Sequence, residues 1–306
     1  MPMTLQRYIN MQKEQLFLRI LEKRYLKFHI TIYFPLMDIS RTEKILAFIK
    51  LILTALSPKA KGRNLIYGFA YGLTCHFLFG VAVIAMIFHM FYGMQKSLGN
   101  FEGTLAIITN GALLLQFPIV HSFLLSQRGQ KILTSLGPKE LASNLSTTSF
   151  TIVASLQLLA LFMLWSPSKI VYDMPFEFLV YLLTVLYFLS WILLIFATID
   201  AGLEVQSGAL GWISVLTNKS PVFPPLPTNG LYSFIRHPIY AAFFLAVVTV
   251  PCWTADQLII SFILGGYCVF APILKDRRLI KRHGRKYITY KNTTPYMIPN
   301  KKLKKT

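Results

Sequence analysis

Two short stretches gather the ionisable and aromatic side chains that could do chemistry in this chain. The first runs from Asn229 to Tyr240 and sets Arg236 and His237 between Tyr232 and Tyr240, directly before an apolar run. Ionisable groups at a membrane boundary are costly unless partnered, which makes them candidates for function. Pro238 suits the first turn of a helix. It would leave Arg236 and His237 beside free helix N–H groups that favour anions. The same residues also fit a plainer reading, an arginine snorkelling at a helix end beside a capping histidine. The second stretch is Lys275, Asp276, Arg277, Arg278 and Leu279, followed by His283, Gly284, Tyr287 and Tyr290. Asp276 is the only acid among the last 32 residues, which hold twelve Lys and Arg. A carboxylate so placed is a salt-bridge partner or a ligand for a cationic group.

The elements that must position these residues are apolar. Of 306 residues 54% are hydrophobic and 14% charged, against about 25% charged in an ordinary soluble domain. Residues 68–92, 104–126, 148–165 and 176–198 are four apolar runs near the ~20 residues that a spanning helix needs. Residues 200–238 are more polar, and Pro221, Pro224, Pro225 and Pro227 interrupt any long helix there. An ordered loop is expected, with a short helix near 206–216. Residues 239–250 and 258–274 are apolar again and read as a helical hairpin turning at 251–256, its first arm short for a full span. The predicted fold is an all-α, polytopic membrane helical bundle of about six transmembrane helices. It divides into a basic N-terminal extension (1–65), four transmembrane helices (66–199) and a C-terminal region with the hairpin and a basic tail (200–306).

Charge sets the expected orientation. Six spans put 29 of the 31 Lys and Arg on one side and leave only Lys96 and Lys169 on the other. The positive-inside rule then places both termini in the cytosol. Basic clusters beside apolar helices point to anionic inner-leaflet lipids rather than nucleic acid, and the Lys301 to Lys305 tail reads the same way. Residues 43–56 predict an amphipathic helix with Ile45, Leu46, Ile49 and Leu53 on one face, lying on the membrane or packed on the bundle. Arg7, Lys13, Arg19 and Lys23 break up any signal-peptide core. Cys75, Cys252 and Cys268 form no CxxC pair and no Cys/His cluster, so neither a disulfide nor a metal site is implied. His76, His89 and His121 fall in predicted spans, where interior packing explains them. Trp165 and Trp253 sit near predicted membrane boundaries, where aromatic residues are common.

Taken together, Gly230, Leu231, Tyr232, Arg236, His237, Pro238 and Tyr240, an apolar hairpin, Asp276 and Leu279, then Gly284, Tyr287, Tyr290, Pro295 and Pro299 resemble the isoprenylcysteine carboxyl methyltransferase superfamily. The resemblance covers about residues 200–299. It is closest to the bacterial branch with methanethiol S-methyltransferase and NnrU-like proteins, through Gln116 to Ser122, Asp200 to Leu203, Gly211 and Trp212. Lys275 stands where the family has a first Glu, Asp276 is shorter than its second, and His283 replaces a Phe.

The resemblance implies an S-adenosylmethionine-dependent methyltransferase in a bacterial inner membrane, acting on a small or apolar thiol or carboxylate, lipid-like acceptors included. It makes Arg236, His237 and Asp276 the catalytic candidates. Tyr232, Arg236, His237, Pro238, Tyr240, Asp276 and Tyr287 would bind the cofactor. In these roles Arg236 and His237 hold the cofactor carboxylate and Asp276 its amino group. Tyr287 and Tyr290 close the cytosolic lid, with Tyr290 toward the substrate. Two other classes remain open on the residues: an NADPH-dependent sterol or steroid reductase-like enzyme with a related loop, and a membrane partner protein without turnover.

Overall fold

Backbone groups in hydrocarbon have only one another as partners, so apolar runs of membrane length must close into helices. The computed structural model describes residues 39–299. Its helices are α1 Ile39–Ala55, α2 Gly62–Phe91, α3 Gly103–Leu124, α4 Gln127–Ser135, α5 Ala142–Met163, α6 Glu177–Ala201, α7 Leu203–Gln206, α8 Ala209–Leu216, α9 Pro238–Val248, α10 Ala255–His283 and α11 Arg285–Thr293. A 3-10 turn, Gly230–Ser233, precedes α9. Among the described residues no strand forms, only an isolated bridge between Val171 and Thr254. The chain is a polytopic helical membrane protein. The expectations for residues 1–38 and for the Lys301 to Lys305 tail fall outside the described residues.

Among the described residues five helices, α2, α3, α5, α6 and α10, are long and apolar enough to cross a bilayer. Leu73, Ile107, Phe178 and Phe262 on their outer faces are 74–80% exposed, as side chains facing lipid would be. The sixth expected span is the exception. α9 has 11 residues, about 16 Å of helix, and is too short to cross. It packs instead between α6 and α10. A helix ending at that depth leaves carbonyls that water cannot reach. α10 supplies the missing donors: Gln257 Nε2 (3.0 Å) and Ser261 Oγ (2.6 Å) both donate to the Val247 carbonyl. α10 itself starts on a Thr254 cap whose hydroxyl accepts from the Gln257 N–H at 3.0 Å. The hairpin is therefore asymmetric, a short arm hung on a tall one.

Another boundary shifts for the same reason, polar residues satisfied by distant neighbours. The third span begins at Ala142, not near 148, because its Ser- and Thr-rich start packs on α8 rather than lipid. Thr148 Oγ1 donates to the Gly208 carbonyl (2.7 Å) and accepts from Trp212 N (3.0 Å). The helix expected near 206–216 is present as α8, and all eight of its residues are buried. Gly68 and Gly72 of α2 leave the gaps that Leu216 and Trp212 fill. α1 packs on the bundle, one of the two arrangements expected for this segment. Arg41, Phe48, Leu51, Ile52 and Ala55 face the bundle, while Leu46, Ile49, Leu53 and Leu56 point outward.

The core has two parts. The larger lies among α2, α5, α6, α9 and α10, around Met90, Phe162, Tyr187, Trp191, Ala246 and Ile260. The smaller, around Leu145, Ile213 and Leu216, packs α8 against α1, α2 and α5.

Candidate active site

The site is built where the loop before α9 meets the end of α10 and the start of α11. Gly230 has φ +63°, and its Cα is so close to the Asp200 carboxylate that a Cβ would not fit. Only glycine is relaxed in that conformation. Asp200 Oδ2 accepts from Leu231 N at 2.8 Å, which ties the loop to the end of α6. Arg41 grips the same carboxylate through Nε (2.9 Å) and Nη2 (2.8 Å), and Lys44 Nζ donates to the Asp200 carbonyl at 2.9 Å. The chain then turns so that Arg236 N donates to the Pro295 carbonyl at 2.8 Å. His237 caps α9, and Pro238 occupies its first turn.

These constraints bring the two sequence stretches together around one carboxylate. His237 Nε2 is 2.9 Å from Asp276 Oδ1. Tyr287 donates its hydroxyl to the same oxygen. Arg236 Nη2 is 3.3 Å from Oδ2, and Lys291 Nζ is 3.9 Å away. Arg236 Nη1 is held by the carbonyls of Lys291 (2.6 Å) and Thr294 (3.0 Å). Tyr290 donates to the Tyr232 carbonyl at 2.6 Å and locks α11 onto the loop. The Tyr240 and Tyr296 rings stand steeply to the His237 ring, with centroids 6.1 and 5.0 Å away. Lys275 Nζ lies 5.5 Å over the Tyr240 ring. Tyr232, His237, Asp276 and Tyr287 are all buried.

Tyr232, Arg236, His237, Pro238, Tyr240, Asp276, Tyr287 and Tyr290 thus meet in this corner, but the division of labour differs from the simplest expectation. Both Asp276 oxygens already have protein partners, so the carboxylate first anchors Arg236, His237 and Tyr287. Both terminal nitrogens of Arg236 are likewise engaged, and its Nε is the edge left over. That Nε and both ring nitrogens of His237 are buried without an aligned hydrogen bond, the Asp276 approach included. Buried polar atoms rarely stay unpaired unless a ligand or water supplies the partner.

Burial holds the His237 imidazole below its usual 6.5; Lys275 and Arg236 push the same way and Asp276 opposes. The ring is therefore neutral near pH 7. Burial, then the contact with Asp276, raises the Tyr287 phenol, so it stays a proton donor.

Asp200, Tyr296 and the carbonyls of Lys291, Thr294 and Pro295 are the parts that sequence reasoning did not assign. Asp200 had a readable signal: a carboxylate at the end of an apolar run. Beside the corner lies a cavity of about 660 Å³. Its walls include Phe48, Leu51, Asp200, Pro224 and Leu226, and it meets the corner at Asn229 and Lys286. The histidines of the spans are packed side chains: His76 accepts from Trp212 Nε1 at 3.0 Å, His89 lies 3.3 Å from Met163 Sδ, and His121 sits between Phe117 and Phe150. Among the described residues no cluster of His, Cys, Asp or Glu could hold a metal.

No family model matches the chain, and no solved structure does. Curated proteins do. Methanethiol S-methyltransferase 1 of Bradyrhizobium diazoefficiens is 27% identical over 80% of this chain and 87% of its own length. The methanethiol S-methyltransferase of Crocosphaera subtropica is 26% identical over 75% of this chain and 90% of its own. That of a Pseudomonas species is 23% identical over 76% and 90%. The similarity to this branch therefore extends well beyond residues 200–299, through most of the chain.

Proposed function

We propose that the protein is an integral membrane methyltransferase that takes its methyl group from S-adenosylmethionine and gives it to a small or apolar thiol or carboxylate. The reading is carried by one observation: a neutral, buried His237 and an Arg236 edge, both without aligned partners, held in place by Asp276. Residues of that kind suit a ligand with a carboxylate and polar ring edges. S-adenosylmethionine has both, and when bound it supplies an electrophilic methyl on a sulfonium. The names of the related proteins support the same chemistry.

The protein's own part is positioning and exclusion of water. Arg236 Nε and the His237 ring would meet the polar end of the donor, a charge-assisted contact where the partner is a carboxylate. Asp276 and Tyr287 orient them, and Tyr232 and Tyr240 wall the pocket. Tyr290 holds α11 shut across the loop. We place this corner on the cytosolic side, because the sequence around Asp276 is rich in Lys and Arg and the positive-inside rule assigns such stretches to the cytosol.

Transfer of labelled methyl from S-adenosylmethionine to thiols, prenylated cysteine analogues and lipid extracts tests the activity with purified full-length protein. Equal transfer by the parent protein and His237→Ala would remove His237 from the site. Calorimetry with S-adenosylhomocysteine against NADPH separates this reading from a reductase.

A further inference from the structure

Asp200 sits in the last turn of α6 and touches the loop that carries Arg236 and His237. Its carboxylate is buried, and three aligned donors reach it: Arg41 Nε at 2.9 Å, Arg41 Nη2 at 2.8 Å and Leu231 N at 2.8 Å. Arg41 is also buried and lies 5.0 Å over the Phe196 ring of α6. Lys44, three residues further along the same face of α1, donates to the Asp200 carbonyl at 2.9 Å. A cation there also suits the carbonyl end of the α6 dipole. Among the described residues the turn Gly230–Ser233 is tied to other elements at two points. Asp200 takes the Leu231 N–H, and Tyr290 gives its hydroxyl to the Tyr232 carbonyl. Arg236 follows Tyr232 by four residues and His237 by five. The tie to α11 is neutral. The tie to α6 is a charge out of water, and it holds its post only while a counter-charge stands beside it.

We propose that Arg41 is a positioning residue of the donor site: by compensating Asp200 it keeps that carboxylate on the Leu231 N–H, and so sets where Arg236 and His237 stand. On the methyltransferase reading, on which this rests, the donor site then reaches back to α1, 195 residues before Arg236. Removing the guanidinium alone leaves a buried carboxylate without compensation. Asp200 must then turn away, and the Leu231 N–H loses its acceptor. Changing Asp200 to Asn at the same time removes that penalty, because an amide oxygen accepts from Leu231 N and carries no charge. A merely structural pair would lose stability at each step. A positioning pair recovers the site when both charges go together.

The test compares full-length wild type, Arg41→Met, Asp200→Asn and the double variant in detergent. Two quantities are read: hydrogen exchange in the peptide spanning 229–237, and affinity for S-adenosylhomocysteine. Arg41→Met should exchange faster there and bind about tenfold more weakly, the scale of one charge-assisted contact. Asp200→Asn alone strands the Arg41 cation and should lose about as much. The double variant should return to within about threefold of wild type in affinity, with slow exchange restored. Arg41→Lys keeps the charge but loses the two-pronged contact and should fall between wild type and Arg41→Met. If Arg41→Met does not fold, the double variant and Arg41→Lys decide the matter by the same two readings. Losses that add in the double variant would overturn the proposal and leave Arg41 a structural residue. Faster exchange in Arg41→Met or Arg41→Lys with unchanged affinity would overturn it too, by separating the clasp from the site. Exchange in the expected order, with no S-adenosylhomocysteine bound even by wild type, would instead sink the methyltransferase reading and leave the clasp on the loop standing.

Discussion

The two ends of α10 each bury an aspartate, and they treat it in opposite ways. Asp256 and Asp276 are 20 residues apart on the same helix, about 30 Å along its axis. Asp256 takes hydrogen bonds from Trp165 Nε1 (3.0 Å), the Ser168 N–H (2.9 Å) and hydroxyl (2.8 Å), and Gln95 Nε2 (2.9 Å). All its donors are neutral and aligned. Asp276 is surrounded by Arg236, His237, Tyr287 and Lys291, and beside it Arg236 Nε and His237 Nδ1 are buried without a hydrogen-bond partner. Burial alone therefore does not mark a functional acid. What separates a structural clasp from a reactive corner is whether the surrounding donors are spent or held in reserve.

Substitutions at the two ends should break or sharpen that contrast. The largest effect is expected from Asp276→Asn, which leaves the Arg236 cation buried without its counter-charge and frees the His237 ring. Methyl transfer should fall about a hundredfold, the scale of a misplaced catalytic group. Unfolding in detergent should show a stability loss of roughly 3–5 kcal/mol, typical of a broken buried pair. Asp256→Asn should cost about 1–3 kcal/mol in the same unfolding measurement, through donors left facing an amide, yet keep KM for the acceptor near that of wild type. Comparable loss of transfer in both variants would erase the distinction.

His237→Gln probes the reserve itself. The ring's Nδ1 has no partner in the protein, so its replacement should weaken S-adenosylhomocysteine binding about tenfold, while thermal unfolding loses only the single contact to Asp276. Its titration adds a pH signature. Burial lowers the folded-state value below 6.5, so the unfolded chain takes up the proton first on acidification. Stability should be fully present above about pH 6.5 and decline below it. Unfolding midpoints measured from pH 5 to 8 should show that decline in wild type and a shallower one in His237→Gln; parallel curves would assign the decline to other groups. The smallest effect belongs to Tyr290→Phe, which removes one neutral hydrogen bond to the Tyr232 carbonyl and should cost about 1 kcal/mol, visible as faster proteolysis of α11.

The parts of this molecule that could be read from sequence are those whose physics is local. Long apolar runs reveal lipid-facing helices because hydropathy averages over neighbours in the chain. The order and spacing of Arg236, His237, Asp276 and Tyr287 likewise pointed to one corner. What stayed hidden depends on partners far away in sequence. Arg41 and Asp200 meet across 159 positions, and Gln116 and Gln157 exchange hydrogen bonds across 41. The polar start of α5 is invisible to a hydropathy window because its hydroxyls are satisfied by α8. The stop of α9 after 11 residues is equally hidden, since the run stays apolar to Val250 while the helix ends at Val248.

The short helix has a mechanical consequence. His237 caps one end of α9, and Gln257 and Ser261 clamp the carbonyl of Val247 at the other. Sliding α9 along its axis would strip both donors at once, so the height of His237 is referenced to α10 rather than to the lipid. When the surrounding bilayer thins or thickens, the tall helices can tilt to follow it. The distance from His237 to Asp276, set by two points on the same scaffold, would not change with it.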